Sequence, residues 1–124
     1  MRSAATGSAM RRGEIRVVDL NPSVGSEADK RRPAVLVSND GANATAERIG
    51  RGFVTVVPVT SKVSRVFPFQ VLLPAADVGL RADSKAQAEQ IRSIDVRRIG
   101  DRIGLLTPEL LAALDEAIRL HLAV

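Results

Sequence analysis

The side chains able to do chemistry in this 124-residue sequence are mainly arginines, carboxylates and hydroxyls. The chain contains no cysteine and a single histidine, His121. Without thiols, a thiolate nucleophile, a cysteine-containing zinc site, an iron–sulfur cluster and a disulfide framework are all excluded. One histidine also cannot supply a two-histidine metal site. We therefore predict no metal ligands and no cofactor, and look for chemistry that guanidinium, carboxylate and hydroxyl groups can perform.

One segment combines carboxylates with three cations just before an apolar stretch that begins at Pro33. Its candidate carboxylate is Glu27, with Asp29 following, and the cations are Lys30, Arg31 and Arg32. Because Arg32 stands at the junction, its backbone is anchored while its guanidinium can reach a groove. The alternative is a solvated basic loop, which is what charge runs usually form.

Two further segments carry groups suited to contacting a polyanion. Thr60 and Ser61 place hydroxyls at the end of a predicted strand, where ordinary turn chemistry also explains them. Gln90 and Arg92 lie in a stretch rich in side chains that read base edges by hydrogen bonds. The alternative for that stretch is a polar strand face with a salt bridge.

The net charge of +4 and the sequence pI of about 10.6 fit a polyanionic partner. Most of the eighteen cations are arginine, whose planar fork of donors suits phosphate. The excess lies in residues 1–106, whereas residues 107–124 carry a net negative charge. A basic but otherwise ordinary enzyme remains an alternative on charge alone.

Short β-strands must position these groups. Apolar and β-branched runs predict strands at 14–20, 34–38, 53–60, 69–73, 84–89 and 99–105. Residues 21–32 read as a loop, and a short helical turn is predicted at 42–48. The run at 34–38 is apolar throughout, which indicates burial on both faces. Pro58 predicts an edge position or a bulge for the third strand.

A terminal amphipathic helix follows the strands. Thr107 is a predicted N-cap, and Pro108 fits the first helical position. Its apolar stripe is formed by Leu110, Leu114, Ile118 and Leu122. Together these elements predict a mainly β fold with α: a small, strongly curved antiparallel barrel with the helix packed on it.

The outer regions of the sequence set the domain boundaries that we expect. Residues 1–9 are small and patternless and are predicted to be a disordered lead or an expression remnant. Residues 10–124 then form a single domain. No stretch approaches the ~20 apolar residues needed to span a bilayer, and the N-terminus lacks the apolar core of a signal peptide. We expect a cytoplasmic protein that does not associate with a membrane.

Taken in order along the chain, the motifs resemble the MazF/PemK (Kid) toxins of bacterial type II toxin–antitoxin systems. The matching segments run from near residue 11 to the terminal helix. They are RGEI at 12–15, VDLNP at 18–22, GSE at 25–27, RPAVLVS at 32–38, VPVTS at 57–61, PFQV at 68–71 and QIRSID at 90–95. Each segment is short, but their shared order makes the match specific.

The resemblance implies an SH3-like (CcdB/MazF-type) barrel that works as a homodimer. It implies a metal-independent endoribonuclease that cleaves single-stranded RNA at a short specific sequence, inhibiting translation and growth, with a MazE-like antitoxin as partner. By this resemblance Arg32 and Thr60 are catalytic and Glu27 belongs to the site, while Ser26 lies in a loop that covers RNA. The remaining predicted RNA contacts are Lys30, Arg31, Ser61, Lys62, Gln90 and Arg92.

The chemistry of these residue types agrees with that assignment. RNA supplies its own nucleophile, the 2′-hydroxyl, so the enzyme needs no cysteine or histidine. A guanidinium and a hydroxyl beside the phosphate stabilise the charge that develops on its oxygens. The products are a 2′,3′-cyclic phosphate and a 5′-hydroxyl. Glu27 is our hypothesis for the general base, or for the group that orients Arg32. Arginine itself cannot be the general base, because its guanidinium stays protonated.

Aromatic side chains are scarce: the chain has three phenylalanines and no tyrosine or tryptophan. They are Phe53, Phe67 and Phe69, and we expect at least one of the latter two in the core. Base reading is therefore predicted to rest on hydrogen bonds from Gln90, Ser26 and loop backbone, with arginine planes adding some stacking.

Two other functions remain open on the sequence. One is an SH3-like module that binds nucleic acid without cleaving it. The other is a gyrase-directed toxin of the CcdB kind, in which the Arg32 and Thr60 side chains would have no role.

Overall fold

The computed structural model of the chain describes residues 9–20 and 31–124. Seven strands and three helices follow one another along it. The strands are β1 (Glu14–Asp19), β2 (Arg31–Leu36), β3 (Phe53–Thr60), β4 (Gln70–Leu73), β5 (Ser84–Gln87), β6 (Arg92–Asp95) and β7 (Ile99–Leu105). The helices are α1 (Asp40–Ile49), α2 (Ala75–Val78) and α3 (Pro108–Leu122), with 3-10 turns at Ala88–Gln90 and Val96–Arg98. The predicted mainly β fold with a C-terminal helix is confirmed.

All strand pairs are antiparallel, and they form one sheet in the order β4-β5-β3-β2-β1-β7, with β6 also paired to β3. Among the described residues, no ladder joins β4 to β7, and β4, β6 and β7 each pair with a single neighbour. The predicted antiparallel arrangement is therefore present as an open sheet with these three strands at its edges.

The strand β2 is buried on both faces, as its continuous apolar run predicts. Val35 and Val37 belong to one apolar cluster, together with Ile15, Val57 and Leu114. Ala34 and Leu36 belong to a second cluster, on the opposite face of the strand. Because side chains alternate across a strand, β2 carries one cluster on each face, and we call them the first and second cores. This two-sided burial anchors the backbone beside Arg32.

Strand β3 is central, so the predicted edge position is wrong. Its first half pairs with β6 as far as Val56, and its end pairs with β5 from Val59 onward. Pro58 lies where β3 changes from one partner to the other, while its opposite side pairs with Ala34 of β2. A proline is tolerated there because the change of partner interrupts the ladder on that side.

Two other element boundaries also differ from the predictions. Strand β2 begins at Arg31, before Pro33, so both arginines belong to the strand rather than to a loop. Residues 92–95 form strand β6, which is not among the six strands predicted from the sequence. That segment is short and polar, and its pairing with β3 is a tertiary effect that local patterning does not show.

Two helices begin at N-cap side chains, one predicted (Thr107) and one not predicted (Asn39). The Thr107 hydroxyl accepts a hydrogen bond from the Leu110 amide at 3.1 Å, which confirms the N-cap of α3. Leu114 is buried against the first core, but Leu122 is 47% exposed, so the predicted stripe ends before the last turn. Helix α1 is longer than predicted and begins after an Asn39 cap.

None of the three phenylalanines is buried, so the expectation that Phe67 or Phe69 lies in the core is wrong. The cores are instead built from aliphatic side chains. Among the described residues, no helix has the length and apolar character needed to cross a membrane.

Candidate active site

Arg32 and Thr60 lie on neighbouring strands, at the same level and on the same face. The recorded β2–β3 register pairs Ala34 with Pro58, and continuing it by two residues places Thr60 opposite Arg32. Both residues follow the alternation of Ala34, on the face of the second core. Adjacent strands are about 4.8 Å apart, so a guanidinium and a hydroxyl here can contact one phosphate group. Extending the register in this way sets the two residues that the sequence named as catalytic opposite each other, two residues beyond the last Ala34–Pro58 pair.

Both side chains are available to a ligand. Arg32 is exposed, and within the part of the chain that the structure describes its guanidinium has no hydrogen-bond or ion-pair partner. The Thr60 hydroxyl oxygen accepts a hydrogen bond from the Lys62 amide at 3.2 Å. Because a hydroxyl donates its own proton separately, this contact orients Thr60 and leaves its O–H able to donate. The Lys62 side chain itself is exposed.

Lys85 joins this pair on the other side of β3 and was missed by the sequence. It is the recorded partner of Thr60 in the β3–β5 ladder, so it shares the face of Thr60. It is only 8% exposed, and its ammonium donates a hydrogen bond to the Arg65 carbonyl at 2.6 Å. Strand β5 contains no local signal for this position, because the pairing with β3 is long-range.

Gln90 and Arg92 lie outside β3: Arg92 is in β6, which pairs with the first half of β3, and Gln90 precedes β6. Arg92 is exposed and pairs with Val56, four residues before Thr60 and on the same face. At about 3.4 Å per residue, that spacing is roughly 14 Å, or two nucleotides of extended RNA, rather than direct contact with the Arg32–Thr60 pair. Gln90, also exposed, ends the 3-10 turn between β5 and β6.

Arg31 points to a different cleft, on the opposite face of β2 from Arg32. This cleft, which we call the arginine cleft, has a volume of about 460 Å³ and is lined by Val17, Asp19, Arg31, Arg97, Arg98, Ile99, Gly100 and Asp101. Three guanidinium groups thus face one space at the end of β1. The sequence named Arg31 for substrate binding but did not connect it with the pair at 97 and 98.

The arginine cleft is organised by Asp95, which precedes its 3-10 turn. The Asp95 carboxylate accepts hydrogen bonds from the backbone amide, Nε and Nη2 of Arg97 at 2.8, 3.0 and 2.8 Å. The side-chain hydrogen bond from Arg97 is the main reason that the pKa of Asp95 lies well below its ordinary value. Arg98 donates to the Asp19 carbonyl at 3.5 Å and is not held by a carboxylate in this way.

Ser61 lines a second cavity, of about 490 Å³, beside the end of β3. Pro33, Leu80, Ala82, Ile103 and Ser84 are among its other walls. Ser61 follows the alternation of Val59, so it faces away from the Arg32–Thr60 pair. The structure therefore does not bring it to the same face as the pair.

Ser26, Glu27 and Lys30 lie outside the described residues, so the structure does not test their predicted roles. In the ranges that it does describe, no three histidine or carboxylate side chains converge as a metal site would require.

Sequence comparison identifies the family. Residues 11–122 match the PemK-like, MazF-like toxins of type II toxin–antitoxin systems. The chain belongs to this family. It is 63% identical over 113 residues to Endoribonuclease MazF9 of Mycobacterium tuberculosis, an alignment that covers 91% of this chain and 96% of that protein.

Solved structures of MazF proteins share the fold. MazF of Deinococcus radiodurans superimposes with a TM-score of 0.72 at 25% identity, covering 94% of this chain and 98% of that one. An endoribonuclease from a mycobacterial species, in complex with its cognate antitoxin, superimposes with a TM-score of 0.69 at 22% identity, covering 94% of this chain and 95% of that one. At that identity the second likeness shows the fold alone.

Proposed function

We propose that this MazF-like toxin is an endoribonuclease that cleaves single-stranded RNA at the Arg32–Thr60 pair. The observation that carries the proposal is the β2–β3 register: extended by two residues from the Ala34–Pro58 pair, it sets the exposed Arg32 opposite Thr60, whose hydroxyl is oriented by the Lys62 amide. The name of the M. tuberculosis relative, an endoribonuclease, supports the reaction class.

The reaction uses the substrate's own nucleophile. The 2′-oxygen attacks the adjacent phosphorus, a bond forms between them, and the bond from phosphorus to the 5′-oxygen breaks. Arg32 donates two hydrogen bonds to the non-bridging oxygens, and Thr60 donates a third, so charge developing there is stabilised. A 2′,3′-cyclic phosphate and a 5′-hydroxyl result, and DNA is resistant because it lacks the 2′-hydroxyl.

The proton of the 2′-hydroxyl needs an acceptor, and the departing 5′-oxygen needs a donor. We assign the acceptor role to Glu27, the carboxylate five residues before Arg32, and water supplies the proton that converts the departing 5′-oxygen into the 5′-hydroxyl. Arginine is protonated at every physiological pH and cannot take that proton. No metal ion or cofactor enters the proposed reaction.

The RNA strand on either side of the cleaved phosphate contacts further basic and polar side chains. Arg92, two nucleotides away on the same face, and Gln90 contact the strand on one side of the cleaved phosphate. Lys30, Ser26 and Lys62 remain proposed contacts near it, whereas Ser61, which lines the second cavity, remains a proposed RNA contact away from the Arg32–Thr60 pair. Arg31 contributes a phosphate contact from the arginine cleft, on the other face of β2. A short recognition sequence follows from the small number of base-reading groups.

The partners proposed for the chain match its charge. A MazE-like antitoxin with an acidic segment would cover the basic surface that contains Arg32, as favoured by electrostatic complementarity. We further propose a cytoplasmic homodimer in which each copy contributes residues 10–124 as one domain.

The decisive experiment incubates the purified full chain with a long single-stranded RNA in EDTA, beside DNA of the same sequence. Discrete cuts in RNA only, with cyclic phosphate and 5′-hydroxyl ends, are expected. Arg32→Ala should abolish them. Arg48→Ala, which removes an exposed arginine on α1, is the control for charge and should cleave normally.

Other outcomes point to other functions. Intact RNA bound tightly and in a salt-sensitive way would indicate a binding module without catalysis. Inhibition of DNA gyrase without RNA cleavage would indicate a toxin of the CcdB kind. Cuts that persist in Arg32→Ala would remove the Arg32–Thr60 pair from the mechanism.

A further inference from the structure

Phe67 and Phe69 form a parallel stack at the protein surface, between β3 and β4. Their ring centroids are 5.3 Å apart and their planes differ by 4°. Phe67 is 38% exposed, and Phe69 is half-buried beneath it. The chain has three aromatic side chains, and two of them pair outside both cores. Core packing therefore does not explain this stack.

Two cations lie over the Phe67 ring, which is the outer ring of the stack. The guanidinium carbon of Arg65 lies 5.4 Å from the centroid of Phe67, and the ammonium of Lys85 lies 5.9 Å from it. Arg65 is exposed and has no carboxylate partner among the residues that the structure describes. An aromatic face bordered by unneutralised cations is the combination that proteins use to bind single-stranded nucleic acid.

The position of the stack is fixed by Gln70, a buried side chain at the start of β4. The backbone amide of Phe67 donates to Gln70 Oε1 at 3.1 Å, and the backbone amide of Gln70 donates to the Phe67 carbonyl at 2.8 Å. Gln70 Nε2 donates to Glu89 Oε2 at 2.8 Å. Because a carboxylate only accepts hydrogen bonds, Glu89 requires Nε2 of the Gln70 side chain to face it, which leaves Oε1 facing the Phe67 backbone. The aromatic surface is therefore preorganised.

Lys85 connects this surface to the Arg32–Thr60 pair. It lies directly across from Thr60 in the β3–β5 ladder, and its ammonium binds the Arg65 carbonyl while approaching the Phe67 ring. The segment 61–69 begins immediately after Thr60 and returns over Lys85 to reach Phe67. The stack is thus the nearest aromatic surface on the Lys85 side of Thr60.

We propose that the Phe67–Phe69 stack is a base-stacking site for a nucleotide close to the phosphate held by Arg32 and Thr60. This inference rests on the proposed function. The base takes the place of the exposed Arg65 guanidinium over the Phe67 ring, and the displaced guanidinium neutralises a neighbouring phosphate. Since every base has a π-face, the site adds affinity without selecting a base, so specificity comes from other contacts.

The test measures RNA affinity and cleavage with the full chain. An RNA that contains the mapped cleavage site, with a single 2′-deoxy substitution that blocks attack, reports the dissociation constant. Phe67→Ala and Phe67→Leu should each weaken binding by roughly 5- to 150-fold, the range for loss of one stacked base. Single-turnover cleavage at saturating RNA should change little, and the positions of the cuts should not change.

Phe67→Leu separates stacking from folding, because leucine keeps apolar bulk while losing the flat ring. Its denaturation midpoint is measured alongside binding. Leu120→Ala is the control: it removes an exposed apolar side chain on α3, 59% exposed, and should bind RNA normally. A direct readout uses RNAs with 5-iodouridine at successive positions, which should photo-crosslink to Phe67 at one position near the cut.

The outcomes are distinguishable. If the wild-type chain cleaves RNA and Phe67→Leu binds it equally well, the stacking site is refuted while the proposed function stands. If the wild-type chain cleaves no RNA, the proposed function itself fails. If Phe67→Leu weakens binding of a poly-glutamate peptide as much as binding of RNA, the surface recognises acidic polymers through its cations, and base stacking is also refuted.

Discussion

The hydroxyl of Thr60 is the smallest group on which the proposed reaction depends. Thr60→Val keeps the shape and β-branching of the side chain but removes its hydrogen-bond donor. Cleavage by this variant should fall by about 10²- to 10³-fold, the usual cost of one donor to a developing oxyanion. Thr60→Ser keeps the donor and should retain most of the rate. Single-turnover cleavage of one RNA by both variants is the measurement, and equal rates for the two would contradict the assignment.

Glu27 is proposed as the group that takes the proton from the 2′-hydroxyl. Glu27→Gln is nearly isosteric but cannot accept that proton, so the rate should fall and lose its rise with pH on the acid side. Rates measured from about pH 5 to 9, well away from the arginine pKa, give the profile. Wild-type rates across this range would remove Glu27 from the mechanism and leave the base unassigned.

Residue types and order predicted the pair, but not everything around it. Arg32 and Thr60 stand in motifs that are readable along the chain, and they lie two residues beyond the Ala34–Pro58 pair on neighbouring strands. Lys85 was not predicted, because it reaches Thr60 only through the pairing of β5 with β3. At least one of Phe67 and Phe69 was expected in the core, since hydrophobicity favours burial and the support from Gln70 and Glu89 is invisible in sequence.

At the scale of elements, the contact between α2 and β7 requires a glycine. A Cβ added to Gly104 would lie 2.5 Å from the Val78 carbonyl oxygen and 3.2 Å from Ile15 Cδ1. Gly104→Ala must therefore shift α2 or β7, and should lower the free energy of unfolding by about 1–3 kcal/mol. Chemical denaturation measures this change.

Gly50→Ala is a useful comparison for that experiment. An added methyl at Gly50 meets nothing within 4 Å, but the backbone there has a φ of 73°. Its cost is conformational alone, about 1–2 kcal/mol. If Gly104→Ala leaves the unfolding free energy unchanged, α2 is free to move away from β7.

Elements with strong local signals were predicted well. The two-sided burial of β2 and the Thr107 cap of α3 follow from composition and capping chemistry, and both are confirmed. Strand β6 was missed because four polar-rich residues acquire strand geometry only by pairing with β3. Pro58 misled for a related reason: it lies between two partners of a central strand, a situation that no local rule describes.

The charge of the whole molecule should appear in the salt dependence of RNA binding. For single strands, the logarithm of the binding constant falls with the logarithm of salt concentration by about 0.7 per neutralised phosphate. If the arginine cleft carries one phosphate, Arg98→Ala should reduce this slope by about 0.7. Arg48→Ala should leave the slope unchanged. Equal slopes for both variants would place the RNA away from the cleft.

The proposed homodimer is also a property of the whole molecule. Sedimentation of the free chain at micromolar concentration should give twice the monomer mass of 13.2 kDa. A monomer under those conditions would contradict a working unit in which two copies act on one RNA.

The apolar character of both faces of β2 affects how firmly the register of this strand is set during folding. When both faces of a strand are apolar, hydrophobic patterning does not penalise a shift of register by one residue. Such a shift moves Arg32 to the other face, away from Thr60, while the apolar surfaces remain covered. The fit of side-chain volumes, small Ala34 beside larger Val35 and Leu36, and the missing amide of Pro33 oppose the slipped state. A chain folded in the slipped register would lack the Arg32–Thr60 arrangement, so we expect it to be compact but unable to cleave RNA.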